Sequence, residues 1–247
     1  MSPKQLSVSG HSMAGIRIVI ALIVLFTASI CCGSALAEDE WFDDAKKAIA
    51  LAKKEKKDLV MLFTGSDWCP PCKQLEEEVL GRDDFQHEAT STLVLVKFDF
   101  PQEIRLDAKT VTQNKEYRDK YGVEGYPTVV FTGTGLKPVG ITGYQEGGVP
   151  NYLAVLEGFR ELRIKRDENF AKAAKQEGLE RAKSLDAAVN GIAPGIVQVY
   201  YADVIEEIIA LDKDDALGLK SIQRFQRSRN AKGDPDRHPD DCRVGKT

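Results

Sequence analysis

Short apolar runs alternate with amphipathic stretches along the middle of the chain. Four runs predict strands, the first two buried on both faces in the manner of central parallel strands: 58–64, 93–98, 128–131 and 139–142. Helices predicted from apolar residues at helical spacing cover 41–56, 70–80 and 115–121, and another starts near 149. Residues 101–115 are polar and irregular, and they predict a surface insertion. This alternation indicates a layered α/β domain, whose last two strands form an antiparallel edge.

The pattern changes to helix alone beyond residue 160. Two apolar stripes at helical spacing are separated by a break at 191–195, and a third stripe follows. The stripes contain Phe170, Ala174, Ala182, Leu185 and Val189, then Ile196, Val199, Tyr200, Val204, Ile205 and Ile208, then Leu217, Ile222 and Phe225. We predict a helical appendage over 161–230, which packs on the α/β domain or on a partner because it buries little surface alone. The charged, proline-bearing end at 231–247 is predicted to be disordered.

The first 37 residues have a different pattern from the rest. Lys4 and Arg17 flank an apolar run over 18–32, which is followed by small residues ending at Ala37 and then by an acidic segment. This is the layout of a secretory signal peptide over 1–37, with cleavage after Ala37. The sequence therefore predicts an exported protein that works in a periplasm or outside the cell.

Two alternatives keep the protein attached to a membrane. An uncleaved anchor is disfavoured because the apolar run, at about 15 residues, is shorter than the ~20 that a spanning helix needs. A lipoprotein would be acylated on Cys31 or Cys32, but the residues before them lack the expected small residue. Both alternatives still place the folded domain outside the cytoplasm.

Length, charge and cysteine count narrow the possible functions. The 247 residues have room for one domain of ordinary size and an appendage, so we place the α/β domain at 38–160. A net charge of −4 argues against a nucleic-acid partner, which usually requires a basic surface. Of five cysteines, cleavage would leave three, too few for a disulfide framework. The close pair Cys69 and Cys72 therefore indicates chemistry, and Cys242 is left over.

The two cysteines lie where a buried strand leads into a helix. The segment is Trp68-Cys69-Pro70-Pro71-Cys72-Lys73. With Cys69 at the cap and Cys72 in the first turn, the sulfurs can reach a bonding distance of about 2 Å without distorting the helix. Partial positive charge and unpaired N–H groups at a helix start stabilise a thiolate, the nucleophile of disulfide exchange. Prolines are tolerated there because first-turn N–H groups have no partner within the helix.

The pair predicts a mechanism and a direction. We expect Cys69, as the more exposed sulfur, to attack a substrate disulfide, and Cys72, as the more buried one, to resolve the mixed disulfide. Pro70 and Pro71 carry no charge and remove two N–H donors from the neighbourhood of the sulfurs. A less stabilised thiolate favours the enzyme disulfide, so we predict a reductant of protein disulfides. The chemistry requires no cofactor.

Residues 41–160 resemble the thioredoxin family. The segment 65–73 matches the family's active-site segment, and Gly125-Tyr126-Pro127-Thr128 matches its second signature, a cis-proline loop that faces the cysteines. The resemblance implies a mixed central sheet flanked by helices, with the C-terminal helices outside it. It also implies that the backbone of Tyr126 pairs with an extended substrate strand. Flanking segments resemble the extracytoplasmic branch of disulfide-reductase and interchange proteins.

Supporting residues are expected around the cysteines: Trp68, Pro70, Pro71, Lys73, Asp67 and Lys97. Trp68 is expected to form a wall of the site, and Lys97 falls where the family has a lysine. The family's buried carboxylate, six residues before the first cysteine, is replaced by Phe63. The proton acceptor for Cys72 therefore stays open, and Asp67 is either a substitute or, as we prefer, a solvated loop charge.

Three alternatives remain at this stage. A zinc site could combine the cysteine pair with His238 and Cys242, but the strand–CxxC–helix context favours redox chemistry and no metal. The fold could instead be a binding module that presents the appendage to a partner. A third alternative is an oxidase or isomerase that acts on folding secreted proteins. As partners we expect protein disulfides or dithiols, with an electron donor at the membrane.

Overall fold

The computed structural model describes residues 41–218, so the predictions for 1–37 and 231–247 lie outside the described residues. Its strands are β1 (Trp41–Phe42), β2 (Asp58–Thr64), β3 (Leu93–Asp99), β4 (Thr128–Thr132) and β5 (Pro138–Thr142). They form one sheet in the order β1-β3-β2-β4-β5. β3 pairs in parallel with β1 and β2, whereas β4 runs antiparallel to β2 and β5. The predicted mixed sheet with an antiparallel edge is confirmed.

Helices cover both faces of this sheet and continue beyond it. They are α1 (Ala45–Glu55), α2 (Pro70–Leu75), α3 (Asp83–Thr92), α4 (Ala108–Lys120), α5 (Gly148–Ala173), α6 (Gly178–Val189), α7 (Pro194–Tyr200) and α8 (Ala202–Leu211). A π-helical turn, Glu76–Leu80, continues α2. Although α5 is 26 residues long, neither it nor any other helix within 41–218 is apolar enough to cross a bilayer.

The central strand β2 is buried along its whole length, as its continuous apolar run predicts. Alternate side chains point to opposite faces, so Leu62 packs in one apolar cluster with Leu75, whereas Phe63 packs in the other with Phe98. The strand therefore belongs to both clusters and holds the two layers of helices together. Its carboxyl end carries the chain to Gly65, where the cysteine segment begins.

The predicted insertion at 101–115 is wrong in its second half. α4 starts at Ala108, because the Asp107 carboxylate accepts hydrogen bonds from the N–H groups of Lys109 and Thr110. The helix ends just before Gly122, which adopts φ +56°. Apolar periodicity missed its first turns because the helix is mostly polar and Asn114 is its only fully buried residue. The irregular surface segment is limited to 101–107.

Two other elements differ from prediction at the start of the domain. Trp41–Phe42 forms β1 rather than a helical turn, and α1 begins only after Asp44, whose carboxylate accepts from the N–H groups of the first turn. The helix α3 was not predicted. Its buried residues Phe85 and Ala89 are too few to produce a clear stripe.

Helices are present where the first two C-terminal stripes are predicted, with different bounds, whereas Ile222 and Phe225 of the third stripe lie outside the described residues. The first stripe is divided by a turn after Ala173, and Val199, expected on a buried face, is 68% exposed. Within the described residues the appendage packs on the α/β domain. Buried Arg166 donates to the carbonyl of Lys137 and to the hydroxyl of Tyr201, and that hydroxyl donates to the carbonyl of Pro138. The boundary at 160, inside α5, stays a prediction.

Candidate active site

The cysteine pair lies at the turn between β2 and α2. The N–H of Cys69 donates to the carbonyl of Gly65 at 2.9 Å, which closes the turn. Cys69 is then the N-cap of α2 and Cys72 lies in its first turn, with the prolines between them. The two cysteines form a disulfide with their Cα atoms 5.3 Å apart. The geometry that the CxxC spacing predicts is therefore present.

The start of α2 offers the sulfurs few hydrogen-bond donors. Pro70 and Pro71 have no N–H, and the N–H groups of Cys72 and Lys73 both donate to the carbonyl of Cys69 at 3.1 Å. A thiolate at Cys69 would therefore rely on the partial charge of the helix start rather than on these amides. This arrangement agrees with the expectation of a weakly stabilised thiolate.

The expected difference in exposure between the two cysteines is absent from the oxidised form. Cys69 is 3% exposed and Cys72 is 4% exposed. Because both residues are buried to the same degree, exposure does not identify the attacking sulfur. The choice of Cys69 rests instead on its position at the cap and on its neighbour in the opposite loop.

That neighbour is the loop containing Tyr126 and Pro127. The peptide bond between these residues is cis, as the resemblance implies. The Sγ of Cys69 lies 3.6 Å from the carbonyl oxygen of Tyr126, a distance at which a reduced thiol can donate a hydrogen bond. The proline loop therefore faces Cys69, and its backbone lies beside the position that an incoming disulfide must occupy.

Three aromatic side chains form a wall beside the pair. Trp68 is 40% exposed, and its Nε1–H donates to the carbonyl of Phe100 at 2.8 Å. The ring of Tyr126 stacks on Phe100 at 5.1 Å and meets the edge of Trp68 at 5.9 Å. The sequence predicted Trp68 and Tyr126, whereas Phe100 follows β3 and carried no motif that would have identified it.

Asp67 is a partly exposed loop residue whose carboxylate also has backbone partners. Its carboxylate accepts hydrogen bonds from the backbone N–H groups of Gln102, Glu103 and Ile104, at 2.7 to 3.2 Å. Desolvation raises the pKa of Asp67, but these three bonds outweigh it and hold the pKa below its ordinary value. A carboxylate held in its charged form by three donors is poorly suited to accept a proton from Cys72.

The lysines have separate partners. The Nζ of Lys73 folds back and donates to the carbonyl of Asp67 at 2.7 Å. Lys97 lies 3.5 Å from a carboxylate oxygen of Glu76, which follows Cys72 by one helical turn. Both lysines therefore border the cysteine helix, and neither contacts a sulfur in the described structure.

Phe63 occupies the position of the family's buried carboxylate. It is fully buried and stacks on Phe98 with the ring centroids 4.8 Å apart. The sequence-based doubt about a proton acceptor at this position is therefore justified. Within 41–218, no group of three or more His, Cys, Asp or Glu side chains is placed to hold a metal ion. His238 and Cys242 lie outside the described residues.

A second polar cluster on the far side of α2 was missed by sequence analysis. The hydroxyl of Tyr144, in the loop after β5, donates to the carboxylate of Glu78 at 2.6 Å, and Gln74 donates to both. The bond to Glu78, with desolvation, raises the pKa of Tyr144 to about 12. Tyr144 is 66 positions from Glu78 and 70 from Gln74, so only the fold could reveal its contact with them.

A mixed sheet that delivers a CxxC pair to a helix start, opposite a cis-proline, defines a thioredoxin-type protein. The model of the thioredoxin-like domain matches residues 45–157. The disulfide bond reductase DsbH of Chlamydia pneumoniae is 30% identical over 129 residues, which cover 52% of this chain and 77% of the relative. The chain therefore belongs to the thioredoxin-like family of thiol–disulfide oxidoreductases and retains the CxxC pair.

Other similarities cover the same domain. Protein disulfide isomerase-like 1-2 of Oryza sativa subsp. japonica is 32% identical over 114 residues, 45% of this chain but only 20% of that protein. A solved structure of a DsbH oxidoreductase covers 50% of this chain and 85% of its own, with a TM-score of 0.47 and 30% identity. The matches leave about half of this chain uncovered.

Gly65→Ala tests how Trp68 is seated. A Cβ on Gly65 would lie 2.5 Å from Cε2 and 2.6 Å from Nε1 of Trp68, so the indole must move and lose its bond to Phe100. We expect a loss of about 1–3 kcal/mol in the free energy of unfolding, measured by denaturant titration, and a red-shifted tryptophan emission. The matched control is Gly125→Ala, whose Cβ meets nothing within 4 Å. Equal effects of the two variants would contradict the prediction.

Proposed function

We propose that this protein is an exported reductase of protein disulfides that acts through a mixed disulfide on Cys69. One observation carries the proposal: the Cys69–Cys72 disulfide lies at the start of α2 with the sulfur of Cys69 3.6 Å from the carbonyl of Tyr126. A redox-active pair and a strand-pairing backbone are therefore adjacent. The Chlamydia relative is named a disulfide bond reductase, which supports the same chemistry.

The reaction moves two electrons from the reduced pair to the substrate. The thiolate of Cys69 attacks one sulfur of the substrate disulfide, and the other sulfur leaves as a thiolate that takes up a proton. The thiolate of Cys72 then attacks the Sγ of Cys69, which breaks the mixed disulfide and releases the second substrate thiol. The enzyme is left with its own disulfide, and a dithiol donor must reduce it before the next turnover.

The proline loop supplies the surface for the polypeptide. The carbonyl of Tyr126 points toward Cys69, so an extended substrate segment can pair with this backbone while its disulfide lies over the sulfur. Trp68 and Phe100 add apolar contact area on one side of that position. Recognition of this kind uses main-chain hydrogen bonds and accepts many sequences, which suits a reductase of proteins.

The prolines favour reduction over oxidation. Strong oxidants stabilise their reduced form, and at this site two potential N–H donors are missing and the next two are bonded to a carbonyl. The disulfide form of the enzyme is then the more stable one, so electrons leave the reduced pair readily. An oxidase would need the opposite balance.

Variants of the two cysteines test the mechanism. We expect the reduced protein to reduce insulin, Cys69→Ser to abolish the reaction, and Cys72→Ser to accumulate mixed disulfides with substrate, detectable by non-reducing electrophoresis and mass spectrometry. Cys69→Ser is the control for trapping, because it lacks the attacking sulfur. Wild-type protein that never reduces insulin would instead support a binding module that presents its C-terminal helices.

The reduction potential tests the direction. We expect the reduction potential to be closer to that of thioredoxin, about −270 mV, than to that of DsbA, about −120 mV. Pro71→His adds a cation and an N–H beside Cys69 and is expected to raise the potential by about 30 mV or more, measured in glutathione buffers. Pro71→Ala restores the N–H alone and separates the two contributions. A wild-type value near that of DsbA would support an oxidase and reject the proposal.

The amino terminus tests the location. We propose export to a periplasm or the extracellular space, supported by the signal-peptide pattern of residues 1–37. Amino-terminal sequencing of the mature protein is expected to begin at Glu38, and replacing Ala37 by a bulky residue is expected to block this cleavage. A mature protein that keeps residues 1–37 and lies in the membrane would support the anchor instead.

A further inference from the structure

Three consecutive residues of the cysteine turn bind one neighbouring segment, and Asp67 holds it most extensively. We propose that Asp67 is a positioning residue that sets the aromatic wall and the proline loop for polypeptide substrates, without taking part in the thiol chemistry. The proposal rests on the reductase function proposed above. It assigns a role to the segment 99–104, which begins at the last residue of β3 and takes no direct part in the reaction.

The contacts of the turn fix this segment residue by residue. The N–H and hydroxyl of Ser66 both donate to the carboxylate of Asp99, at 3.0 and 2.5 Å. The Nε1–H of Trp68 donates to the carbonyl of Phe100. The carboxylate of Asp67, which lies between Ser66 and Trp68 in the chain, accepts hydrogen bonds from the N–H groups of residues 102–104. The segment therefore has one register relative to the cysteines.

Phe100 connects this segment to the proline loop through its contact with Tyr126. Its N–H donates to the carbonyl of Thr64 at 2.8 Å, so its backbone continues the pairing of β2 with β3. Its ring stacks on Tyr126 at 5.1 Å, and the guanidinium of Arg118 lies 5.8 Å from the same ring. Tyr126 is the residue whose carbonyl faces Cys69, so a shift of the segment would displace the surface on which a polypeptide pairs.

A carboxylate is the group that this arrangement requires. Three N–H donors converge on it, and an ionised carboxylate offers about four acceptor positions with no hydrogen of its own. Oδ2 accepts from all three N–H groups, and Oδ1 also accepts from that of Gln102. Asparagine has one neutral acceptor oxygen, and its NH₂ group would face the N–H of Gln102. Asp67→Asn therefore keeps the size of the side chain while removing the charge and one acceptor oxygen.

The experiment compares substrates of different size. We expect Asp67→Asn to lower kcat/KM for insulin about tenfold, mainly through KM, because the three hydrogen bonds lose their charged acceptor and the N–H of Gln102 meets an NH₂ group. Reduction of bis(2-hydroxyethyl) disulfide should stay within about twofold, and the reduction potential should be unchanged, because the sulfurs keep their surroundings. Hydrogen exchange at the amides of 102–104 should accelerate. Ser66→Ala, which removes the adjacent bond to Asp99, should act in the same direction with a smaller effect.

Asp107→Asn is the matched control. The Asp107 carboxylate also receives three hydrogen bonds, from the N–H of Lys109 and from the N–H and hydroxyl of Thr110, but it caps α4 and contacts no residue of the cysteine turn. We expect this variant to keep its insulin kinetics within about twofold of wild type, with little change in stability, because asparagine caps a helix about as well as aspartate.

Two results would overturn the assignment. Unchanged insulin kinetics in Asp67→Asn would show that the loop bonds do not matter for substrates. Equal losses on insulin and on the small disulfide, with a shifted potential, would place Asp67 in the thiol chemistry instead. A wild-type protein inactive on both substrates would reject the reductase function itself. Failure of that function can therefore be distinguished from failure of the role assigned to Asp67.

Discussion

The complete burial of β2 is the constraint on which the rest of this structure depends. The strand lies between β3 and β4, and its alternate side chains enter the two apolar clusters that hold the helices on either face. Because the core fixes the strand in position and register, its carboxyl end is also fixed. The cysteine turn starts there, so the position of the redox pair is set by the packing of apolar residues that take no part in the reaction.

The site is assembled from loops that meet at that end of the sheet. The turn that carries the cysteines, the segment after β3, the proline loop and the loop after β5 each follow a strand or precede one. Polar bonds join them: Asp67 and Trp68 hold the segment on one side, and Tyr144 with Glu78 holds the loop on the other. Disulfide exchange requires two sulfurs and a correctly positioned substrate disulfide. These bonds therefore matter because they fix the loops that position the substrate.

The chain differs from the thioredoxin family at Phe63 and in its C-terminal helices. Phe63 extends the apolar core to a position where a carboxylate is expected, and the charged pair of Lys97 and Glu76 lies on the other side of β2. The C-terminal helices are fixed to the start of β5 through buried Arg166 and Tyr201, which bond to each other, to two backbone carbonyls and, from Arg166, to the carboxylate of Asp167. This network makes the appendage a continuation of the core rather than a separate attachment.

Elements with a local signal could be predicted from the amino-acid sequence. Continuous apolar runs indicated β2 and β3. The CxxC spacing indicated the redox pair, because two cysteines separated by two residues at a helix start can form a disulfide without distorting the helix. The Gly-Tyr-Pro-Thr segment containing Pro127 indicated the loop opposite the pair. Polar α4 and short α3 were missed since they bury too few side chains to show a period. The tertiary structure alone decided the partners of Asp67 and the contacts of Phe100 and Tyr144. The contacts of Asp67 with Ile104, of Phe100 with Trp68 and of Tyr144 with Gln74 join residues 32 to 70 positions apart, and no local pattern records which loops a folded sheet brings together.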